Sequence, residues 1–519
     1  MLSSCYGRVI RRPRARMPRP AGVPLLLSAV ALVTASCAGT AAQPVRAPDP
    51  AAAQTRRPPS ATAVLAGSPP SVTVGVARDL FAAAPVVVVA SASDPAGLGP
   101  AIIQAGRAHA PLLLIDPAAG PATGGAAAVD TEIRALHPRA VLAVGVAPGA
   151  LAARLHGIRV VTGTGSLPVT RAPAPAGRVV LLVHQGDSSA ATMAAVATAR
   201  AAGAQVITAR HYDPRADPAA ITALAAVKPR QVVATGARFG PVSRLAYRLA
   251  VAETGAQLPG GGQLLFPMHR LVALYGHPGD PALGALGAQD LPASIARARR
   301  AARPYRRLST VPVIPTFEII ATVAEAHPGP DGSYSYESPL SLLRPWVNRA
   351  TAAGMYVVLD LQAGRASLLA QAKLYEPLLR RPDVGLALDP EWKLGPRQRP
   401  LRRIGSVSAG EVNGVSRWLA ALTARDHLPQ KLLVLHQFQL SMIGDEQRLD
   451  TRHGDLAIVV HMDGQGTPHD KQQTWQAVTA AAPPDVFFGW KNFYAKDHPM
   501  LSPQDTMART PEPVMISYQ

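Results

Sequence analysis

Cysteine is almost absent from this sequence: Cys5 and Cys37 are the only two in 519 residues. Removal of an N-terminal segment carrying Cys5 would leave one thiol and no internal disulfide, so the fold must rest on buried apolar surface. Aromatic residues make up only 5% of the chain, and no Lys/Arg run beyond the first 36 residues is longer than three. Nucleic-acid binding needs clustered charge and stacking rings, so no nucleic-acid partner is expected. Lysine is scarce, seven of the 52 basic residues, and this arginine bias with abundant Ala and Pro points to a GC-rich coding sequence rather than a basic patch. No glycine-rich nucleotide loop is present; Gly97 and Gly99 lack the third glycine and the acidic ribose partner. No cofactor and no metal are assigned.

What is present first is an export signal. Arg8, Arg11, Arg12, Arg14, Arg16 and Arg19 form a basic segment, followed by an apolar run over 23–33. That run is shorter than the roughly 20 residues a membrane span requires. Thr34-Ala35-Ser36-Cys37 follows and resembles a bacterial lipobox, which implies cleavage after 36 and acylation of Cys37. An ordinary cleaved signal with an incidental cysteine is the competing reading, and Met17 is an alternative start. Acylation explains the lone thiol, and several acyl chains at about 0.8 kcal/mol per buried methylene would anchor firmly. The expected location is therefore the outer face of the cell membrane, with the lipid at Cys37 as the membrane contact. Net charge is +19, of which the six signal arginines supply six, leaving about +13. That charge favours anionic wall polymers or lipid head groups.

Five segments follow from the composition: a signal at 1–36, a disordered tether at 37–67, α/β modules at 68–168 and 177–262, and a barrel at 268–519. The tether reading rests on Ala, Pro, Thr and Arg without apolar periodicity. Runs such as Val86–Val89, Leu112–Ile115, Val141–Val144 and Val179–Val183 alternate with amphipathic stretches at 98–109, 129–137 and 188–202. Continuous apolar runs suit strands buried on both faces, so the fold class is α/β, with two Rossmann-like modules. The first module resembles the cell-wall-binding repeat 2 family of Gram-positive surface proteins. The likeness lies in Val86–Ala90 with Ser93-Asp94-Pro95, in Ala110–Leu114, and in Leu136–Gly145, about 90 residues in all. It implies a cell-wall glycan as partner.

From residue 270 onward eight apolar runs appear, at 271–275, 312–320, 355–361, 384–389, 431–436, 456–461, 485–490 and 513–518. Helical patterns separate most of them. This is the rhythm of a (β/α)₈ TIM-type barrel, whose chemistry sits at the C-terminal strand ends. No eighth helix follows the last run, so another segment must cover it. The strand ends supply Tyr275 and His277, Glu318, Asp360 and Gln362, Asp389, Glu391 and Trp392, His436 and Gln437, His461 and Asp463, Trp490 and Lys491, and Tyr518.

The sharpest local feature is Val384-Gly385-Leu386-Ala387-Leu388-Asp389-Pro390-Glu391-Trp392. Carboxylates two apart at an extended strand end point the same way, and their mutual repulsion leaves one a proton donor. The segment resembles the Asp-Gly-x-Asp-x-Asp-x-Glu signature of family 18 chitinase-like hydrolases through Gly385, Asp389, Glu391 and Trp392. Val384 and Ala387 stand where that family has two more acids. The D-x-E pair also resembles family 25 muramidases. The likeness implies Glu391 as general acid and Asp389 as orienter of a substrate N-acetyl group, with Asp360 and Glu318 as further catalytic candidates. Trp392, Tyr275, His277, His436, Gln437, His461, Asp463, Trp490, Lys491 and Tyr518 are the substrate-binding candidates. Rim salt bridges are the plainer explanation for Asp389 and Glu391, and Glu411 belongs to a capping box opening at Ser408. The expected function is a glycoside-hydrolase-like surface lipoprotein acting on wall or extracellular polysaccharide. The alternatives are a non-catalytic carbohydrate-binding lipoprotein and a metal-dependent hydrolase in which His277, His436 and His461 converge.

Overall fold

The apolar runs become strands buried on both faces. In the computed structural model, which describes residues 51–56, 62–116 and 125–519, eight of them close into a parallel barrel. They are β1 (Arg270–Gly276), β2 (Val313–Ala324), β3 (Tyr356–Leu361), β4 (Val384–Leu388), β5 (Lys431–Gln437), β6 (Leu456–Met462), β7 (Phe487–Asn492) and β8 (Met515–Tyr518). Pairing of β1 with both β2 and β8 closes the ring. The signal, Cys37 and most of the tether lie outside the described residues.

Alternation along each strand sets two surfaces. Leu271, Ala273, Ile314, Tyr356, Val358, Leu432, Val434 and Val459 fill the lower interior. Leu274, Phe317, Leu359, Leu386 and Leu433 face outward and pack against the surrounding helices. The N-terminal end is plugged by Leu258, Leu265 and Phe266, which join the interior cluster. The helices start where their caps dictate: Asp290 accepts from Ala293 N at 2.8 Å, Ser408 from Glu411 N at 3.2 Å and Thr467 from Asp470 N at 3.2 Å. The Ser408 cap is the one expected, and Glu411 pairs with Lys393 at 3.8 Å. The last strand is covered by Tyr305 and Met507, which pack with Ile516 and Tyr518.

The N-terminal half carries two four-stranded parallel sheets. One runs in the order 112–115, 86–91, 140–144, 160–161; the other runs 205–209, 179–184, 231–235, 62–65. The fourth strand of the second sheet corrects the tether boundary. Thr62–Leu65 lies within the expected tether, yet it pairs in register with Val232–Thr235. Residues 51–55 also pair, with Thr170–Arg171 and with Phe81–Ala83. These segments are too short to show a period in sequence, and their backbone groups are satisfied by strands distant in the chain. The helix Pro69–Leu80 packs with the helix Ala190–Ala201. Val74, Val87, Val89, Leu113, Val179, Leu181, Val183 and Ala195 therefore belong to one core. The two sheets are built around shared apolar surface rather than set in series. Gln263 joins this half to the barrel floor: its N–H donates to Arg215 O at 2.7 Å, and its carbonyl accepts from Gln430 N at 2.8 Å.

Candidate active site at the barrel mouth

Above the apolar layers, the inward positions change character. Tyr275, Glu318, Asp360, His436, His461, Lys491 and Ser517 each come from a different strand, and Asp389 and Asp463 follow directly on β4 and β6. All are buried. They converge: Tyr275 OH donates to Asp360 Oδ2 at 2.8 Å, and His461 Nε2 and Ser517 Oγ are 2.7 Å apart. His436 lies between two acids, with Nε2 3.1 Å from Glu318 Oε1 and Nδ1 3.2 Å from Asp463 Oδ2. Lys491 Nζ is 4.0 Å from Asp463 and stands 3.7 Å from the centre of the Tyr275 ring.

Glu391 reaches this cluster by a turn rather than by the expected strand extension. β4 ends at Leu388, and Pro390–Trp392 form a single 3₁₀ turn. The turn wraps Gly405, whose N–H donates to Glu391 O at 2.7 Å. A Cβ at Gly405 would come within 2.3 Å of Lys393 O, so only glycine fits there. One oxygen each of Asp389, Glu391 and Asp463 lies within 4.8 Å of the others.

Their environments push these acids apart. Burial, then the charge of Asp463, raises Glu391 to about 7, with Lys491 and His436 offsetting part of the rise. Burial and the neighbouring Glu391 and Asp360 hold Asp389 well above the usual carboxylate range. Burial would raise Asp463 too, but the hydrogen bond from His436 and the charges of His436 and Lys491 overcome it and lower its pKa. Burial would likewise lower His436, yet its bonds to Asp463 and Glu318 hold it well above the usual imidazole range. His461 is driven well below that range by burial and by the charges of His436 and Lys491. Around neutral pH Glu391 is poised between its acid and carboxylate forms, while Asp463 and His436 are held towards their charged forms and His461 towards its neutral one.

A cavity of about 420 Å³ opens over this cluster, lined by Tyr275, Gln362, Glu391, Trp392, Asp463 and Lys491 among others. Four carboxyl oxygens of the cluster, on Glu318, Asp360, Asp389 and Asp463, are buried without a hydrogen-bond partner among the described residues. The Asp389, Glu391 and Asp463 set has the hard oxygen donors that suit a divalent cation, although Lys491 and His436 already bring positive charge to it. His277, His436 and His461, expected to converge in the metal-dependent alternative, do not form such a group among the described residues. His277 lies on the rim, 3.1 Å from Ser338 Oγ.

Three other binding candidates point away from the mouth. Trp490 packs on the outer face with Trp475 and Met462, and its Nε1 donates to Asn492 Oδ1 at 2.9 Å. Gln437 donates to Glu446 Oε2 at 2.9 Å, and Tyr518 OH lies 2.6 Å from Tyr305 OH on the helix side of the barrel. Each is one residue out of phase with the inward set. Ser517, Phe438, Phe493 and Lys496 were not singled out by sequence; the inward phase of Met515 points to Ser517, and the other three follow strand ends. Compared with protein-family models, curated proteins and solved structures, the chain matches none.

Proposed function

We propose that the barrel is a glycoside-hydrolase-like enzyme acting on a cell-wall or other extracellular polysaccharide. The observation that carries this reading is that Glu391 and Asp463 line one cavity with an oxygen of each within 4.8 Å of the other, the first held towards its acid form and the second towards its carboxylate. Glycosidic cleavage needs an acid beside the leaving oxygen and a carboxylate for the developing positive charge at the anomeric carbon. Glu391 donates its proton to the glycosidic oxygen as the bond to the anomeric carbon breaks. Asp463, held by His436 and Lys491, bonds to that carbon or stabilises it. Glu391, now a carboxylate, takes a proton from a water whose oxygen adds to the carbon; where Asp463 is bonded there, that bond breaks and its carboxylate is released. One oxygen of each acid lies within 4.8 Å of the other, nearer to the about 5–5.5 Å of retaining enzymes than to the wider inverting pairs. Trp392 offers an aromatic face to a sugar ring.

In the same reading Cys37 carries the lipid, the mature chain stands on the outer face of the membrane, and the two parallel sheets are Rossmann-like modules that contact wall glycan. The test is hydrolysis of purified peptidoglycan and N-acetylglucosamine oligomers by the full chain beside Glu391→Gln. Reducing ends released by the wild type alone support the reading. Binding without release from any glycan would replace it with a non-catalytic module, and release abolished by a chelator would replace it with a metal-dependent hydrolase.

A further inference from the structure

A second cavity, of about 350 Å³, adjoins the first and shares Glu391 and Trp392 with it. Its far wall is the loop 395–405, which contributes Pro400, Leu401, Arg402, Arg403 and Ile404. The stretch from Glu391 to Gly405 contains one acid and five basic residues, Lys393, Arg397, Arg399, Arg402 and Arg403. All four arginines are exposed. Among the described residues none of the four forms a salt bridge, whereas Lys393 is paired with Glu411. The nearby acids Asp331 and Glu411 line a separate groove.

The loop is nevertheless fixed in place. Arg365 Nη2 donates to Gln398 O at 2.8 Å, Gly395 N to Gln398 Oε1 at 2.8 Å, and Gly405 N to Glu391 O at 2.7 Å. Leu401 is 80% exposed and Ile404 38% exposed, so apolar surface stands beside the guanidinium groups. A sugar ring presents an apolar face to such surface, and a guanidinium pairs bidentately with a carboxylate or phosphate.

We infer that this second cavity is a subsite for an anionic sugar residue, its carboxylate or phosphate held by Arg402 and Arg403. The inference rests on the glycosidase reading for the direction of the chain: an anion bound there is continuous with a sugar ring at Trp392 and Glu391. A flat lipid surface would meet the exposed arginines but not the cavity wall that Glu391 shares.

The experiment measures equilibrium binding to Glu391→Gln protein, which keeps the site and removes its acid. The probes are a polyuronate, a phosphate-bearing wall glycan, neutral N-acetylglucosamine oligomers, and vesicles of anionic phospholipid. The expected result is roughly tenfold tighter binding of an anionic glycan than of the neutral oligomers at low salt. That preference collapses in Arg402→Ala/Arg403→Ala and in high salt, and Arg402→Lys/Arg403→Lys keeps part of it. The polyuronate and the phosphate glycan separate the two anions. Equal binding of charged and neutral glycans would overturn the inference, as would vesicle binding that alone depends on the two arginines. An arginine-dependent preference in a protein whose wild type hydrolyses nothing would keep the subsite and remove only the catalytic reading.

Discussion

His436 Nδ1 stands 3.2 Å from Asp463 Oδ2, while the other nitrogen of the same ring faces Glu318 at 3.1 Å. One buried imidazolium therefore ties the sixth strand of the barrel to the second. Removing one partner of such a buried pair leaves the other uncompensated, at a cost of about 3–5 kcal/mol. His436→Leu should lower the thermal unfolding midpoint clearly. An unchanged midpoint would show that the ring does not hold the two acids.

The pH profile of kcat/KM should be bell-shaped. Activity falls as pH rises through about 7, where Glu391 loses its proton. The acidic limb lies below the usual carboxylate range, because Asp463 must be ionised and its pKa is lowered. A rate that keeps rising from pH 7 to 9 would remove Glu391 as the donor.

The same group makes stability depend on pH. Glu391 has a folded pKa of about 7, above the roughly 4.3 of an exposed glutamate. Its contribution is fully present below the unfolded value and is lost as pH rises through the folded one. Glu391→Gln should therefore gain on the order of 1–3 kcal/mol over the wild type at pH 8 and nothing at pH 4. Denaturant unfolding at both pH values checks this, and an equal gain at each would contradict it.

Lys491 lowers the pKa of both Glu391 and Asp463 through its charge. Lys491→Met should move both limbs of the activity profile to higher pH. A loss of activity with neither limb displaced would mean that Lys491 acts by contact with substrate alone.

Gly489 sits where a Cβ would lie 2.1 Å from His461 Nδ1. Gly489→Ala should force the ring from Ser517 and cost about 1–3 kcal/mol by overpacking. The double variant with His461→Ala should recover part of that loss, since the clash disappears with the ring. Strictly additive effects on unfolding would show that the two positions are not in contact.

The barrel was legible because each of its strands is a continuous apolar run, and the ends of those runs named most of the cluster. Phase was not legible. With both faces of a strand buried, apolar character does not alternate, so the sequence cannot say whether Trp490 or Lys491 turns inward. The charged and hydroxyl residues resolve it afterwards: His461, Asp463, Lys491 and Ser517 share a face, and Gln437, Trp490 and Tyr518 fall on the other. The roles of Asp463 and His436 depend on neighbours from distant strands, which no local motif records. Thr62–Leu65 was hidden for a different reason, being four residues amid proline and alanine.

That short strand has a consequence for how the N-terminal half can be divided. It forms the outer border of the second sheet, beside Gln231–Thr235. The chain leaves it, builds the whole first sheet, and only then returns to lay down the rest of the second. A fragment starting at residue 177 would carry three strands and an uncovered row of N–H and C=O groups along 231–235. Such a bare edge recruits strands from other molecules, so the fragment would be more prone to aggregation than the full chain.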